Sequence, residues 1–173
     1  MTFCFILTTA SLLIYSPSSS ALTLRAPKYV VSYNGFGPVK IGMSLPQAAK
    51  VLGVRVTRDA GYEGNECYYA SPKRGFKEVA FMMSGQRIVR VDIDSKEYAT
   101  DRGARVGDTE AKIKRLYKGK VKVSQHPYVD YGHYLEVEFE DGRYSLIFET
   151  DGKRVTRFRA GRSPEVGYIE GCS

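Results

Sequence analysis

The sequence predicts an α+β fold of two tandem units, each a short helix followed by an antiparallel meander of about four strands, joined into one curved sheet with both helices on one face. Three observations carry this expectation. A glycine-led segment occurs twice: Ile41-Gly42-Met43-Ser44 runs on to Leu52-Gly53, and Val106-Gly107-Asp108-Thr109 runs on to Tyr117-Lys118-Gly119. A second motif, Gly85-Gln86-Arg87-Ile88-Val89-Arg90-Val91, is matched by Gly152-Lys153-Arg154-Val155-Thr156-Arg157-Phe158. Gly42 and Gly107 stand 65 residues apart, and Gly85 and Gly152 stand 67 apart, so both matches share one spacing. Between the motifs, short alternating runs bounded by glycine and charged residues read as strands.

The elements follow in chain order. The first charged side chain is Arg25, and before it lies the apolar run Phe3 to Tyr15, followed by a polar, small-residue break through Ala21. This pattern reads as a secretory signal over 1–21, with Ser19 and Ala21 at positions −3 and −1 of a cut before Leu22. The n-region holds no Lys or Arg, so an uncleaved anchor or a start site placed elsewhere is the alternative. The first unit then spans 22–98 and the second, with a C-terminal tail, 99–173.

In the first unit Ser44 is the expected N-cap, Gln47 completes a capping box, and Pro46 falls in the first turn, where its missing N–H costs little. Leu45, Ala48, Ala49 and Leu52 share one helical face, and Gly53 ends it. In the second unit Asp108 or Thr109 caps, and Ile113, Leu116 and Tyr117 form the buried stripe. Strands are expected at Val54 to Thr57, Cys67 to Ala70, Val79 to Met83 and Ile88 to Ile93, then at Val121 to Ser124, Tyr134 to Phe139, Tyr144 to Glu149 and Arg154 to Ala160. A period of two turns Val89, Val91 and Ile93, with Thr156, Phe158 and Ala160, toward the helices. It turns Ile88, Arg90 and Asp92, with Val155, Arg157 and Arg159, to the open face.

The chain has 173 residues, 43% hydrophobic and 26% charged, with a net charge of +7, two His and three Cys. That composition excludes a disordered tail, a collagen-like fibre and a polytopic membrane protein. Beyond the leader two cysteines remain, Cys67 and Cys172. In an oxidising compartment such a pair is most simply a disulfide tying the tail to the first unit, with two buried thiols as the alternative. The expected location is therefore periplasmic or secreted.

The glycine-led helix opening, followed by a small meander and repeated once, resembles the helix-plus-sheet repeat of the β-lactamase inhibitory proteins. It is similar too to the SmpA/OmlA-type outer-membrane lipoproteins of β-barrel assembly. Ile41 to Gly53 carry the likeness strongly, and Val106 to Gly119 more loosely because Asp108 stands where Met is usual. The Glu170 to Ser173 ending also resembles that of small exported bacterial proteins without an assigned activity. The resemblance implies a non-catalytic protein-binding scaffold of the bacterial envelope. Two departures limit it. Cys67 and Cys172 would bridge across units rather than within one, and a lipidated cysteine is missing.

For such a scaffold the expected contact residues are Tyr68, Tyr69, Tyr128, Tyr131 and Tyr134, with Arg90, Arg157 and Arg159 of the open sheet face, since tyrosine gives large contact area at low entropic cost. The alternative partner is an anionic envelope lipid or polysaccharide, which a +7 surface attracts. A nucleic acid is not expected, because export places the chain away from it. No cofactor is expected. His126, Asp130 and His133, within one loop, are the candidates for a metal, but their spacing matches no established ligand motif. No enzyme activity is expected either. Gly42-Met43-Ser44-Leu45-Pro46 lacks the closing glycine of a nucleophile elbow, and Gly35-Phe36-Gly37-Pro38-Val39-Lys40 lacks the third glycine of a dinucleotide fingerprint.

Overall fold

The protein is described by a computed structural model covering Met1 and residues 29–61, 64 and 66–172, so that all of the expected leader beyond Met1 lies outside it. Its strands are β1 (Val30–Ser32), β2 (Gly35–Phe36), β3 (Val39–Lys40), β4 (Val56–Arg58), β5 (Cys67–Pro72), β6 (Val79–Ser84), β7 (Arg87–Ile93), β8 (Ala99–Thr100), β9 (Val121–Gln125), β10 (His133–Phe139), β11 (Tyr144–Thr150) and β12 (Val155–Arg162). Helix α1 (Leu45–Leu52) follows β3, α2 (Glu110–Leu116) follows β8, and a 3₁₀ turn (Glu165–Gly167) lies in the tail.

The fold is α+β, with two helices and two mostly antiparallel sheets among the described residues. The expectation of one joined sheet is corrected by the second of these. The larger sheet has eight strands in the order β4-β5-β6-β7-β12-β11-β10-β9, closed in the middle by antiparallel pairing of β7 with β12. The smaller has the order β3-β2-β1-β8, and β1 runs parallel to β8. Strands of two or three residues leave no readable alternation, which is why the small sheet has no clear trace in the sequence pattern.

Local chemistry builds both helices. The Ser44 hydroxyl accepts from the Gln47 N–H and the Gln47 side chain accepts from the Ser44 N–H, a complete capping box. Thr109, not Asp108, caps α2 by accepting from the Lys112 N–H. Asp108 instead accepts from the Arg105 N–H at 2.8 Å and from Lys112 Nζ at 2.8 Å. Ala48 and Leu52 of α1, Ile113 and Tyr117 of the second helical segment, and Phe81, Val91, Leu135, Phe148 and Phe158 of the large sheet all join one buried cluster. Val31, Phe36 and Val39 of the small sheet join it too. The Tyr117 hydroxyl donates to Thr100 Oγ1 of β8 at 2.8 Å, and burial pushes this phenol up to about 12.

The recurring motifs make the same contacts twice. Arg87 Nη1 donates to the Gly42 carbonyl at 3.3 Å, and Arg154 Nη1 donates to the Gly107 carbonyl at 2.8 Å. The Gly42 N–H donates to the Ile88 carbonyl, and the Gly107 N–H to that of Val155. The Ile88 and Val155 N–H groups answer by donating to Met43 and Asp108. A glycine-led helix opening therefore needs the Gly-x-Arg-[Ile/Val] strand opening, because the two segments pair backbone to backbone.

Both of those strands carry a β-bulge. Met82 faces Arg90 but Met83 faces Ile88, leaving Val89 extra; Glu149 faces Arg157 but Thr150 faces Val155, leaving Thr156 extra. A bulge inverts the alternation on its far side. Ile88 and Val155, expected on the open face, are consequently in the core, while Thr156, expected inward, is exposed. Gly161 of β12 accommodates the first bulge. A Cβ there would stand 2.4 Å from the Val89 carbonyl oxygen.

The bulge reverses which substitution matters. Val155→Ala should lower the urea unfolding free energy by about 1 to 3 kcal/mol, while Thr156→Ala should stay within about 0.5 kcal/mol. Equal effects, or the opposite order, would show strict alternation through Val155.

Candidate protein-binding surface

The open face of the large sheet is not open over its centre. After β12 the chain turns back, and the segment from Ser163 to Cys172 crosses this face. The Ser163 N–H donates to the Arg143 carbonyl at 2.9 Å and its hydroxyl to that of Gly142 at 2.7 Å. Glu165 accepts from Arg162 at 2.7 Å; burial works against its charge, but the arginine outweighs this and its pKa lies below the ordinary value. Val166 is buried against Tyr134 and Ile147, forming a small second apolar cluster. Cys172 then bonds to Cys67 at the start of β5, the expected disulfide across 105 residues. In the chain-entropy model a loop of that length is worth about 4 to 5 kcal/mol, and the bond itself points to an oxidising compartment outside the cytoplasm.

Arg90 and Arg159 hold this tail. Arg90 is 3% and Arg159 4% exposed, so neither presents its guanidinium to solvent. Arg90 Nη1 donates to the carbonyls of Glu165 at 3.2 Å and Tyr168 at 2.7 Å, Nε pairs with Asp92 at 2.9 Å, and Nη2 donates to the Tyr69 hydroxyl. Burial works against the Arg90 charge, and the neighbouring Asp92 more than restores it. Arg159 Nε donates to the Val166 carbonyl at 2.6 Å, Nη1 pairs with Glu149, and the guanidinium lies 5.2 Å from the Tyr134 ring centre. Arg157, by contrast, is exposed and pairs with Asp94 at 3.0 Å.

A cleft of about 510 Å³ remains where Ile169 to Gly171 pass over the sheet. In it Asp92, Asp94 and Glu149 face Arg90, Arg157 and Arg159, and each guanidinium already has its carboxylate. Burial, despite the opposing effect of Arg157, holds the Asp94 carboxyl above the ordinary carboxylate range. The three arginines expected to meet a partner are thus engaged by the protein itself.

The tyrosines separate in the same way. Tyr68 turns to the helix side, where it packs on the core with the Arg58 guanidinium 4.3 Å from its ring centre. Tyr69, its neighbour, turns to the tail side against Arg90. Tyr134 is buried beneath the tail. Tyr128 and Tyr131 are 66% and 82% exposed in the β9–β10 loop. Their loop is held in shape. Gln125 Nε2 donates to the Asp130 carbonyl at 2.7 Å, the His126 N–H to that of Gly132 at 2.9 Å, and the Tyr128 hydroxyl to Glu170 of the tail. Gly152, at φ 88°, lets the loop lie close, since a Cβ would stand 2.1 Å from the Tyr131 carbonyl oxygen. Tyr168 and Ile169 of the tail are also exposed, and sequence reasoning did not anticipate either.

The two histidines take different partners. His126 Nδ1 accepts from the Tyr128 N–H at 3.1 Å and Nε2 lies 3.6 Å from Glu149. His133 Nδ1 lies 2.8 Å from Glu110, which also accepts from the Thr150 hydroxyl at 2.6 Å. Among the described residues no three His, Cys, Asp or Glu are grouped to hold a metal ion, so His126, Asp130 and His133 are not brought together as ligands. Burial opposes the Glu110 charge, but the hydrogen bonds from Thr150 and His133 outweigh it and leave its pKa below the ordinary value.

Two measurements check this arrangement. Arg159→Ala removes a buried guanidinium and with it the closest ion partner of the half-buried Glu149, and should cost about 3 to 5 kcal/mol in urea unfolding, whereas Arg157→Ala should cost at most about 1 kcal/mol. A depressed carboxylate stabilises the fold above its unfolded pKa and loses that contribution as pH falls through its folded pKa. The melting temperature of Glu110→Gln should therefore lie below that of the parent chain near neutral pH. The gap should narrow on acidification below about pH 4.3, and a gap that widens would contradict the assignment.

No protein-family model matches the chain, and no curated protein matches it. Among solved structures it is similar to the uncharacterized protein yfeY from Escherichia coli, with a TM-score of 0.50 and 15% identity over 77% of this chain and 99% of that one. That likeness is one of fold alone. It bears neither on the β-lactamase inhibitory proteins nor on the assembly lipoproteins.

Proposed function

We propose that this chain is an exported, non-catalytic scaffold of the bacterial envelope, periplasmic or secreted, that binds another protein through the Tyr128 to Tyr131 loop and the adjoining Tyr168 and Ile169. The observation that carries the reading is the pair of exposed tyrosines on a loop tied by hydrogen bonds at both ends and joined to the tail through Glu170. Rigid, amphipathic rings with few rotatable bonds are what a paratope uses, because little entropy is lost when they are covered. The scaffold is read as two tandem units, 22–98 and 99–173. The reading is supported by the equivalent bulges at Val89 and Thr156 and by the paired contacts of Arg87 with Gly42 and Arg154 with Gly107. The apolar run and small-residue break that read as a leader over 1–21, together with the Cys67–Cys172 disulfide, support export.

The test is a crosslinking pull-down from bacterial envelope extract with the oxidised mature chain. A protein partner should be captured, should survive washing at about 1 M salt, where charges are screened beyond about 3 Å, and should be lost with Tyr128→Ser/Tyr131→Ser at an unchanged melting temperature. Capture abolished by salt and indifferent to both tyrosines would replace this reading with binding of an anionic lipid or polysaccharide.

A further inference from the structure

We propose that β9 is a docking edge for an extended, acidic segment of a partner protein, which adds to the large sheet as a ninth strand. The inference rests on the protein-binding reading and names the chemistry of the partner.

β9 is the outermost strand of the eight-stranded sheet. On an edge strand, alternate residues turn their N–H and C=O groups away from the sheet, unpaired with any neighbour. The edge is long enough to be used. It pairs with β10 in unbroken register from Val121 opposite Val137 to Gln125 opposite His133, with neither a bulge nor a proline. The opposite edge, β4, has three residues. Sheet edges are commonly blunted by shortness, proline, a bulge or a lysine; β9 has the lysine, Lys122, but its charge is paired with Glu138 of β10.

Both faces of the strand are accessible. Every residue from Lys122 to Gln125 is exposed, and Val123 is 48% exposed, an uncovered β-branched side chain beside which a partner side chain can sit.

Charge selects the occupant. Lys122 is neutralised by Glu138 of β10 at 2.5 Å. Arg115, Lys118 and Lys120, on α2 and the turn that enters β9, are exposed and form no ion pair among the described residues. Lys118 and Lys120, uncompensated cations in the turn that leads directly into this edge, favour a segment carrying carboxylates. They disfavour a second copy of this chain, since two bodies of net charge +7 repel. Backbone pairing supplies the fit and the cations supply the selection, the usual division of labour in strand addition.

The test uses the oxidised chain, isotopically labelled, and an acetylated, amidated peptide of alternating Glu and Val. Two further peptides carry N-methyl groups on the odd or on the even backbone amides. The unmethylated peptide should shift the β9 amide signals and slow their exchange with solvent. One methylated peptide should bind like the parent and the other should not, because a strand offers only alternate N–H groups to an edge. Lys118→Glu/Lys120→Glu, in an exposed turn and with its fold checked by melting, should weaken binding at least tenfold. Equal binding by both methylated peptides, no protection of β9 amides, or protection that appears with chain concentration alone and reports a self-paired dimer would each overturn the inference. Failure of the peptide with partner capture intact removes this inference and leaves the protein-binding reading standing. The reverse outcome removes that reading.

Discussion

Two guanidinium groups placed side by side in the centre of the large sheet, those of Arg90 and Arg159, organise the rest of this molecule. They sit on the paired strands β7 and β12, where Arg159 faces Asp92 and Arg90 faces Gly161. A buried guanidinium is tolerable only when its donors are satisfied. Here carboxylates take part of each fork, the Tyr69 hydroxyl accepts from Arg90, and the carbonyls of Glu165, Val166 and Tyr168 accept from the two guanidinium groups as well. The tail is thus fixed by the need of the sheet to satisfy its own arginines, and the disulfide at Cys172 closes the far end. Removing either guanidinium would orphan carboxylates and carbonyls together, so tail and sheet stand as one polar structure.

That constraint decides which surfaces are left for recognition. The sheet face that looks like a platform in the alternation of residues is engaged from within, and its Arg–Asp and Arg–Glu pairs neutralise one another inside the cleft. What lies outside the tail is the Tyr128 to Tyr131 loop and the strand that leads into it. They share one end of the large sheet. Buried tyrosine stabilises the fold, as with Tyr117 on Thr100, while the rings of Tyr128 and Tyr131 stand in solvent.

Much of the scaffold was legible in the residues. The capping box at Ser44 and Gln47, the helix stripes, the eight strands of the large sheet and the cysteine pair each follow from a local rule with a local cause. Three features were not. The small sheet is built from strands too short to show a period, and β1 meets β8 across most of the first half of the chain. The bulges at Val89 and Thr156 are invisible in Ile-Val-Arg-Val and Val-Thr-Arg-Phe, because an extra residue leaves no mark in an alternation that is read without its partner strand. The path of the tail had a single signal, Cys172. That signal gave its end point, while the arginines that hold it looked like surface residues because their carbonyl partners carry no sequence signature.

The account turns on the tail lying over Tyr134 and leaving Tyr131 in solvent. Hydroxyl-radical footprinting of the oxidised chain, read by mass spectrometry, measures both at once. The account predicts that Tyr128 and Tyr131 are labelled readily and that Tyr134 and Val166 are protected together. Labelling of Tyr134 and Val166 at the rate of Tyr131 would mean that the tail does not occupy the sheet, and would return Arg90 and Arg159 to the surface.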